Sequence, residues 1–235
     1  MKATLPPPLL LASSSPRRRE ILESLGLAVQ VLREIPFHER PERENVALSP
    51  SELAWYNALG KALAAARLHP DRPLLAADTI VSFGARVFGK PADRQEAEAT
   101  LAFLSGKTHI VQTAYVLVFP APVGERPRFT GDVERTEVTF RRLTPEIIAR
   151  YLDAVPVHDK AGSYAIQERG DELVTSIRGS YSNVVGLPIE AVSRLLRQAG
   201  YYRGSIPRPM PKPGTISPAG LAGLSGLSGS NLVLR

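Results

Sequence analysis

An α/β fold with substantial antiparallel content is the class this sequence predicts. Three observations carry it. Apolar, strand-like runs alternate with helical segments. Ser-Pro and Thr-Pro pairs mark helix starts. Two long β-rich stretches also follow one another with only a loop between them. The first run, Leu9-Leu10-Leu11-Ala12, reads as a buried strand that breaks into Ser13-Ser14-Ser15. A helix follows, with Ser15 as N-cap and Pro16 as its first residue. Its first turn carries Arg17, Arg18 and Arg19, where free N–H groups and the helix dipole are already positive. Such a start is either a phosphate cradle or a solvated helix end.

Ala28–Leu32 reads as a second strand. Ser49-Pro50-Ser51-Glu52 forms a capping box that opens a long Ala/Leu-rich helix to about Leu68. Pro73–Asp78 is a buried strand ending in an acid, and Ile80–Phe83 and Arg86–Phe88 flank Gly84 as a hairpin. Asp93–Leu104 has helical periodicity. Ile110–Phe119 and Thr130–Arg142 are β-rich around a loop at 120–128; the second alternates Val133, Val138 and Phe140 with polar residues. Thr144-Pro145 caps a helix to about Leu152. A glycine-rich polar region then leads to a last helix from Pro188 to Arg197.

The 235 residues, 43% hydrophobic and 22% charged, suffice for one large domain or two small ones with a sizeable core. The absence of cysteine excludes disulfides and Cys-based metal sites and fits a reducing compartment. No apolar run approaches a membrane span, and the N-terminus lacks a signal-peptide core, so a cytoplasmic protein without membrane contact is expected. The net charge of +6 is concentrated late: Arg203, Arg208, Lys212 and Arg235 lie in an acid-free tail. Without them the remaining 25 basic and 23 acidic residues nearly cancel, which is not the footprint of a stable nucleic-acid complex. The tail is rich in Pro, Gly and Ser and reads as disordered. The expected organisation is a flexible N-terminus at 1–6, a folded body at 7–202 and a tail at 203–235.

Several residues could carry chemistry. Asp78, followed by Thr79 at the end of an apolar strand, could hold a divalent cation, accept a proton from water, or merely cap a turn. Lys90, in Gly89-Lys90-Pro91, is either held towards a phosphate or solvated. Lys61, among alanines and leucines, points into an anionic site or snorkels out. Glu39 lies in a charged loop, Arg33–Arg43, where both kinds of role are open. The segment Asp159–Gln167 gathers an acid, Lys160, a glycine turn and an amide; Gln167 could read a base edge or belong to a surface turn. The four histidines lack zinc-site spacing, and no P-loop or dinucleotide fingerprint is present.

Together these segments resemble the Maf family of nucleotide pyrophosphatases. The resemblance runs through Ser13-Ser14-Ser15-Pro16-Arg17-Arg18, Lys61-Ala62, Ala77-Asp78-Thr79, Gly89-Lys90-Pro91 and Leu104-Ser105-Gly106-Lys107-Thr108-His109. It continues through Asp159-Lys160-Ala161-Gly162 with Ile166-Gln167, and Asn183-Val184-Val185-Gly186-Leu187-Pro188, in family order over about residues 9–195. It implies an elongated mixed sheet flanked by helices, with two lobes around a central nucleotide-binding cleft. The implied reaction is hydrolysis of a nucleoside triphosphate to monophosphate and pyrophosphate with Mg²⁺ or Mn²⁺. Carried over by motif, Asp78 is the proton acceptor. Arg17, Arg18, Lys61, Lys90 and Lys160 bind the triphosphate, with Ser13 and Ser15 in support.

Arg17, Thr79 and Gln167 match positions tied to nucleotide choice, and Asp159–Gly162 with Ile166-Gln167 looks like the dTTP/UTP branch, modified pyrimidine nucleotides included. Glu39 joins Asp78 as a candidate metal ligand, and a homodimer is compatible with the resemblance. The rival readings are a 7-methyl-GTP pyrophosphatase and a non-catalytic, nucleotide- or nucleic-acid-binding regulator of cell division. Arg19 matches no motif position and reads as solvated. Two departures stand out: Gly60 replaces a common acid before Lys61, which lowers helix propensity, and Glu168 replaces a frequent glycine after Gln167.

Overall fold

The computed structural model describes residues 7–40, 48–122 and 124–207. The segment expected to be flexible at 1–6, and most of the expected tail at 203–235, lie outside the described residues.

Strand β1 (Leu9–Ala12) leads through the serines into α1 (Pro16–Glu23), then β2 (Val29–Val31) and the long α2 (Pro50–Leu68). The Ser49 capping box forms as the sequence predicts: Ser49 Oγ accepts from the Glu52 N–H, and Glu52 accepts from the Ser49 N–H. Ser15 occupies the N-cap of α1, but its hydroxyl makes no capping bond. Then come β3 (Leu74–Phe83), β4 (Arg86–Phe88), α3 (Arg94–Leu104), β5 (Thr108–Val118), β6 (Phe129–Phe140) and α4 (Pro145–Ala154). The polar region beyond α4 holds two short 3₁₀ turns, a strand β7 (Val174–Arg178) and a short helix α5 (Tyr181–Val185), none of which its composition announces. Helix α6 (Ile189–Gln198) follows.

One seven-stranded sheet runs β2-β1-β3-β5-β6-β7, with β4 on β3. Strand β1 pairs parallel with β2 and β3, and every other pairing is antiparallel. Asp78 does not end its strand. Strand β3 continues through Thr79, Ile80 and Val81 because β5 pairs with it from Leu74 to Ser82. The stretch expected as separate, Ile80–Phe83, is the same strand. The other edge of β3 is shared: β1 covers it as far as Ala76, and β4 covers it again from Val81. Between them Ala77–Ile80 has no strand neighbour on that edge.

Arg18, from the first turn of α1, fills this gap. Its Nη1 donates to the Ala77 carbonyl and to Ser13 Oγ, both at 2.8 Å. Nε donates to the Gly186 carbonyl at 2.8 Å and Nη2 to Thr79 Oγ1 at 2.9 Å. The side chain is buried, and its charge replaces the missing strand as donor.

Strand alternation sets what each face of β3 buries. Leu74, Ala76 and Ile80 pack against Leu53, Ala54, Ala58, Ala62 and Ala65 of α2. On the opposite face, Leu75 and Ala77 pack with Leu22 of α1 and with Leu187, Val192 and Leu196 beside and on α6. The far halves of β3 and β5 enter a third core, where Val81, Val111 and Phe140 meet Leu101 and Leu104 of α3 and Tyr151 of α4. The two long strands thus join two packed regions, and the gap in β3 lies where they meet.

His109 belongs to the third core. Its ring is fully buried, with Nε2 2.9 Å from the Tyr164 hydroxyl and T-shaped contacts to Phe140 and Tyr164. Burial pushes its pKa down to about 4. The unfolded chain takes up that proton near 6.5, so stability falls as pH drops from about 6.5 towards 4, by about 3 kcal/mol in all. Urea titrations are expected to show a steeper loss between pH 7 and 4.5 for the unaltered protein than for His109→Gln; equal slopes would clear His109 of the effect. Arg18→Met, which strands buried acceptors across the gap, is expected to cost about 3 kcal/mol in the same assay at neutral pH.

Candidate active site

Asp78 sits in the middle of β3, within the gap, and alternation turns it towards α2. Helix α2 presents Asn57 and Lys61 on the same face, one turn apart. Lys61 Nζ is 2.7 Å from Asp78 Oδ1 and 2.6 Å from Glu39 Oε1, so two carboxylates converge on one buried ammonium. Lys61 therefore does not snorkel. Burial raises the Asp78 pKa above the ordinary carboxylate value; Lys61 opposes the rise and Glu39 adds to it. Burial acts the same way on Glu39, but the attraction of Lys61, Lys90 and Arg18 outweighs it and holds Glu39 below its usual value.

Thr79 points to the other face. Its hydroxyl accepts from Arg18, lies 2.9 Å from Thr113 Oγ1 and reaches the Gly186 carbonyl at 3.3 Å. Arg18 has five N–H donors and commits four of them to protein groups, leaving one on Nη2 for a ligand. Ser13 is buried beneath it and also accepts the Ser15 N–H at 3.3 Å.

Thr113 apart, these residues line one cavity of about 740 Å³. Every candidate named from the sequence lines it: Ser13, Ser15, Arg17, Arg18, Glu39, Lys61, Asp78, Thr79, Lys90, Lys160 and Gln167. The chain brings them together from the β1–α1 connection, α1, the 33–40 segment, α2, β3, the loop after β4 and the loop after α4. Arg17 lies 3.6 Å from Asp159 across the cavity. Lys90 is exposed to it and makes no hydrogen bond or ion pair with a described residue. Gln167 is likewise exposed on the rim without a hydrogen-bond partner among the described residues.

Lys160 differs from the other lysines. It is buried and donates to the Pro156 carbonyl at 2.5 Å and to Asp159 Oδ1 at 2.9 Å, with Glu168 Oε1 at 3.6 Å. Glu168 thus faces Lys160. Gly162, at φ +74°, makes the turn possible: a Cβ there would lie 2.9 Å from the Val81 side chain, so only glycine lets the loop close on β3. Arg19 stays outside and pairs with Glu23 at 2.7 Å, as expected of a surface residue.

Several lining residues escaped the sequence reading, Arg33, Arg40 and Asn57 among them. Arg33 and Arg40 were indistinguishable from other charges of their loop. Asn57 carried a usable signal: it is a polar residue on the apolar stripe of α2, among Leu53, Ala54, Ala58 and Ala62, one turn before Lys61.

No cluster of three or more His, Cys, Asp or Glu side chains suited to a metal ion occurs among the described residues. Glu39 and Asp78 supply two converging carboxylates. Two carboxylates and a set of phosphate oxygens suit Mg²⁺, which usually takes one or two protein carboxylates plus substrate oxygens. The donor set therefore fits a divalent ion that arrives with a polyphosphate.

The sequence model of the Maf-like protein family matches residues 8–199. A dTTP/UTP pyrophosphatase of Akkermansia muciniphila is 42% identical over 195 residues, covering 83% of this chain and 98% of that protein. A dTTP/UTP pyrophosphatase of Deinococcus radiodurans is 42% identical over 200 residues, covering 85% and 97%. One from Bacillus anthracis is 41% identical over 190 residues, covering 81% and 94%. The match takes in β1 through α6 and every cavity residue named above. This chain belongs to the Maf-like protein family.

Proposed function

We propose that this protein hydrolyses nucleoside triphosphates, with dTTP and UTP as preferred substrates, to the monophosphate and pyrophosphate. The observation that carries the reading is the convergence of Asp78 and Glu39 on Lys61 beneath a cavity bordered by Arg17, Arg18 and Lys90. The names of the relatives supply the substrate class.

A triphosphate brings about four negative charges, and the cavity offers Arg17, Lys90 and the remaining Arg18 donor to offset them. Binding draws Arg17 from Asp159 to a phosphate oxygen. Lys160, neutralised by its own neighbours, holds the loop that carries Gln167 more than it contacts phosphate. Gln167, exposed on the rim, and Thr79, beside Arg18, take part in nucleotide choice.

Hydrolysis needs one water in line with the α–β bridge. Asp78 Oδ1 is held by Lys61, which leaves Oδ2 to take a proton from that water. The water oxygen forms a bond to the α-phosphorus, the α–β P–O bond breaks, and pyrophosphate departs with the electron pair. Burial, which raises the basicity of Asp78, suits it to this role. Glu39, kept ionised, and Asp78 would hold a divalent ion, which neutralises phosphate charge and polarises the phosphoryl oxygens. The nearly neutral body of the chain favours a free nucleotide over a polynucleotide.

A panel of nucleoside triphosphates assayed for pyrophosphate release with Mg²⁺ or Mn²⁺ is expected to show fastest turnover with dTTP and UTP. Silence across the panel would sink the enzyme reading, and release from 7-methyl-GTP alone would sink only the nucleotide preference. Asp78→Asn is expected to lower kcat by about 100-fold or more while nucleotide binding stays measurable by calorimetry. Full activity in that variant would remove Asp78 from its role.

A further inference from the structure

Helix α2 bears two residues that supply neither charge nor base to the cavity, and both grip the segment that delivers Glu39. Asn57 is buried one turn before Lys61. Its Oδ1 accepts the backbone N–H of Arg40 at 2.9 Å, and its Nδ2 reaches the Arg40 carbonyl at 3.3 Å. One amide thereby serves both backbone groups of the residue next to Glu39. The same Nδ2 makes a long contact of 3.5 Å to Asp78 Oδ2, so Asn57 bridges Asp78 and the backbone of the segment that carries Glu39.

Gly60 makes the second grip. A Cβ at this position would lie 2.1 Å from Phe37 Cε2 and 2.2 Å from Cζ, distances no real Cβ tolerates. The Phe37 ring occupies a notch in the helix that only glycine leaves open. Its neighbour is Tyr56, with ring centroids 6.1 Å apart, and the Arg40 guanidinium lies 4.8 Å over the Tyr56 ring. Residues 37–40 therefore meet α2 at Tyr56, Asn57, Gly60 and Lys61. Glycine is the poorest helix former after proline, yet α2 runs unbroken through it. The lowered propensity expected at Gly60 comes with a seat for an aromatic ring.

We infer that Asn57 and Gly60 are positioning residues that clamp residues 37–40 onto α2, setting Glu39 against Lys61 and across from Asp78. The inference rests on the reading of these carboxylates as the hydrolytic pair. Gly60 acts through Glu39 alone, and Asn57 acts chiefly through it, its direct reach to Asp78 Oδ2 being the long 3.5 Å contact.

Two variants unseat the segment by different routes: Asn57→Leu removes the amide at similar volume, and Gly60→Ala expels the ring while favouring the helix. Each is expected to lower kcat for dTTP by about tenfold or more with little change in KM, and to weaken Mn²⁺ binding, followed by electron paramagnetic resonance, by a similar factor. The melting temperature of Gly60→Ala should not fall, and hydrogen exchange across 33–40 should quicken in both variants. Phe37→Ala added to Gly60→Ala should cost little more than either change alone, because both displace the same segment. Unchanged exchange across 33–40 in the two variants overturns the clamp. Unchanged kcat and Mn²⁺ affinity, with the unaltered protein active on dTTP, overturns the positioning role and leaves the proposed function standing. If the unaltered protein turns over no nucleotide, the proposed function fails, while hydrogen exchange still decides the clamp. Should one variant fail to fold, the other settles the matter.

Discussion

The stretch Ala77–Ile80, left without a strand neighbour on one edge of β3, is the constraint on which the site depends. A sheet edge buried without partners is costly, since each backbone group must find a hydrogen bond elsewhere. Here the break between β1 and β4 is closed by a guanidinium, whose planar fork reaches Ala77, Ser13, Thr79 and Gly186 at once. That solution leaves room for a cavity where a continuous sheet would have none. Strand alternation then puts consecutive residues on opposite sides of β3: Asp78 towards α2 with Lys61 and Glu39, and Thr79 towards Arg18 and Gly186. The over-positive helix start at Arg17-Arg18-Arg19 resolves into three separate duties: a cavity cation, a buried cross-link and a surface ion pair.

The electrostatics of the pair follow from depth. Asp78 and Glu39 share Lys61, yet their pKa values move in opposite directions from the ordinary range. Asp78 lies in the strand, where burial outweighs the lysine. Glu39 reaches in from a loop and keeps more water, and the surrounding cations prevail. Environments that drive two carboxylates apart are what divides a proton acceptor from a permanent anion. The trio as a whole carries one net negative charge, which a divalent cation or a further side-chain cation would balance.

Much of this was legible in the residues. Capped helices such as α2 and α4, and apolar runs such as β1, are local in origin, so pattern and propensity find them. The misreadings are where tertiary pairing decides. Asp78-Thr79 looks like a strand end because polar residues interrupt an apolar run, but pairing with β5 carries the strand through them. Strand β7 and helix α5 are short and supported by β6 and by Asn183, which hydrogen-bonds Val111, Glu134 and Thr136 from inside the core. The candidate site was readable from motif types, and all its named residues face one cavity. What the motifs did not separate was the duty of each cation: Arg18 is largely spent on the protein, Lys160 is neutralised, and Lys90 is exposed to the cavity.

The bonds of Arg18 also set a timetable for the newly made chain. Its partners lie 5, 59, 61 and 168 residues away, so the last of them, Gly186, is synthesised long after the arginine. Contacts of such separation close late, because the intervening chain must first lose its freedom. During synthesis on the ribosome, α1, α2 and β1 to β3 can assemble early, with three of the four Arg18 bonds formed. The cavity acquires its final wall when the segment around Gly186 docks, so a nascent chain carries no finished site until the end of its folding.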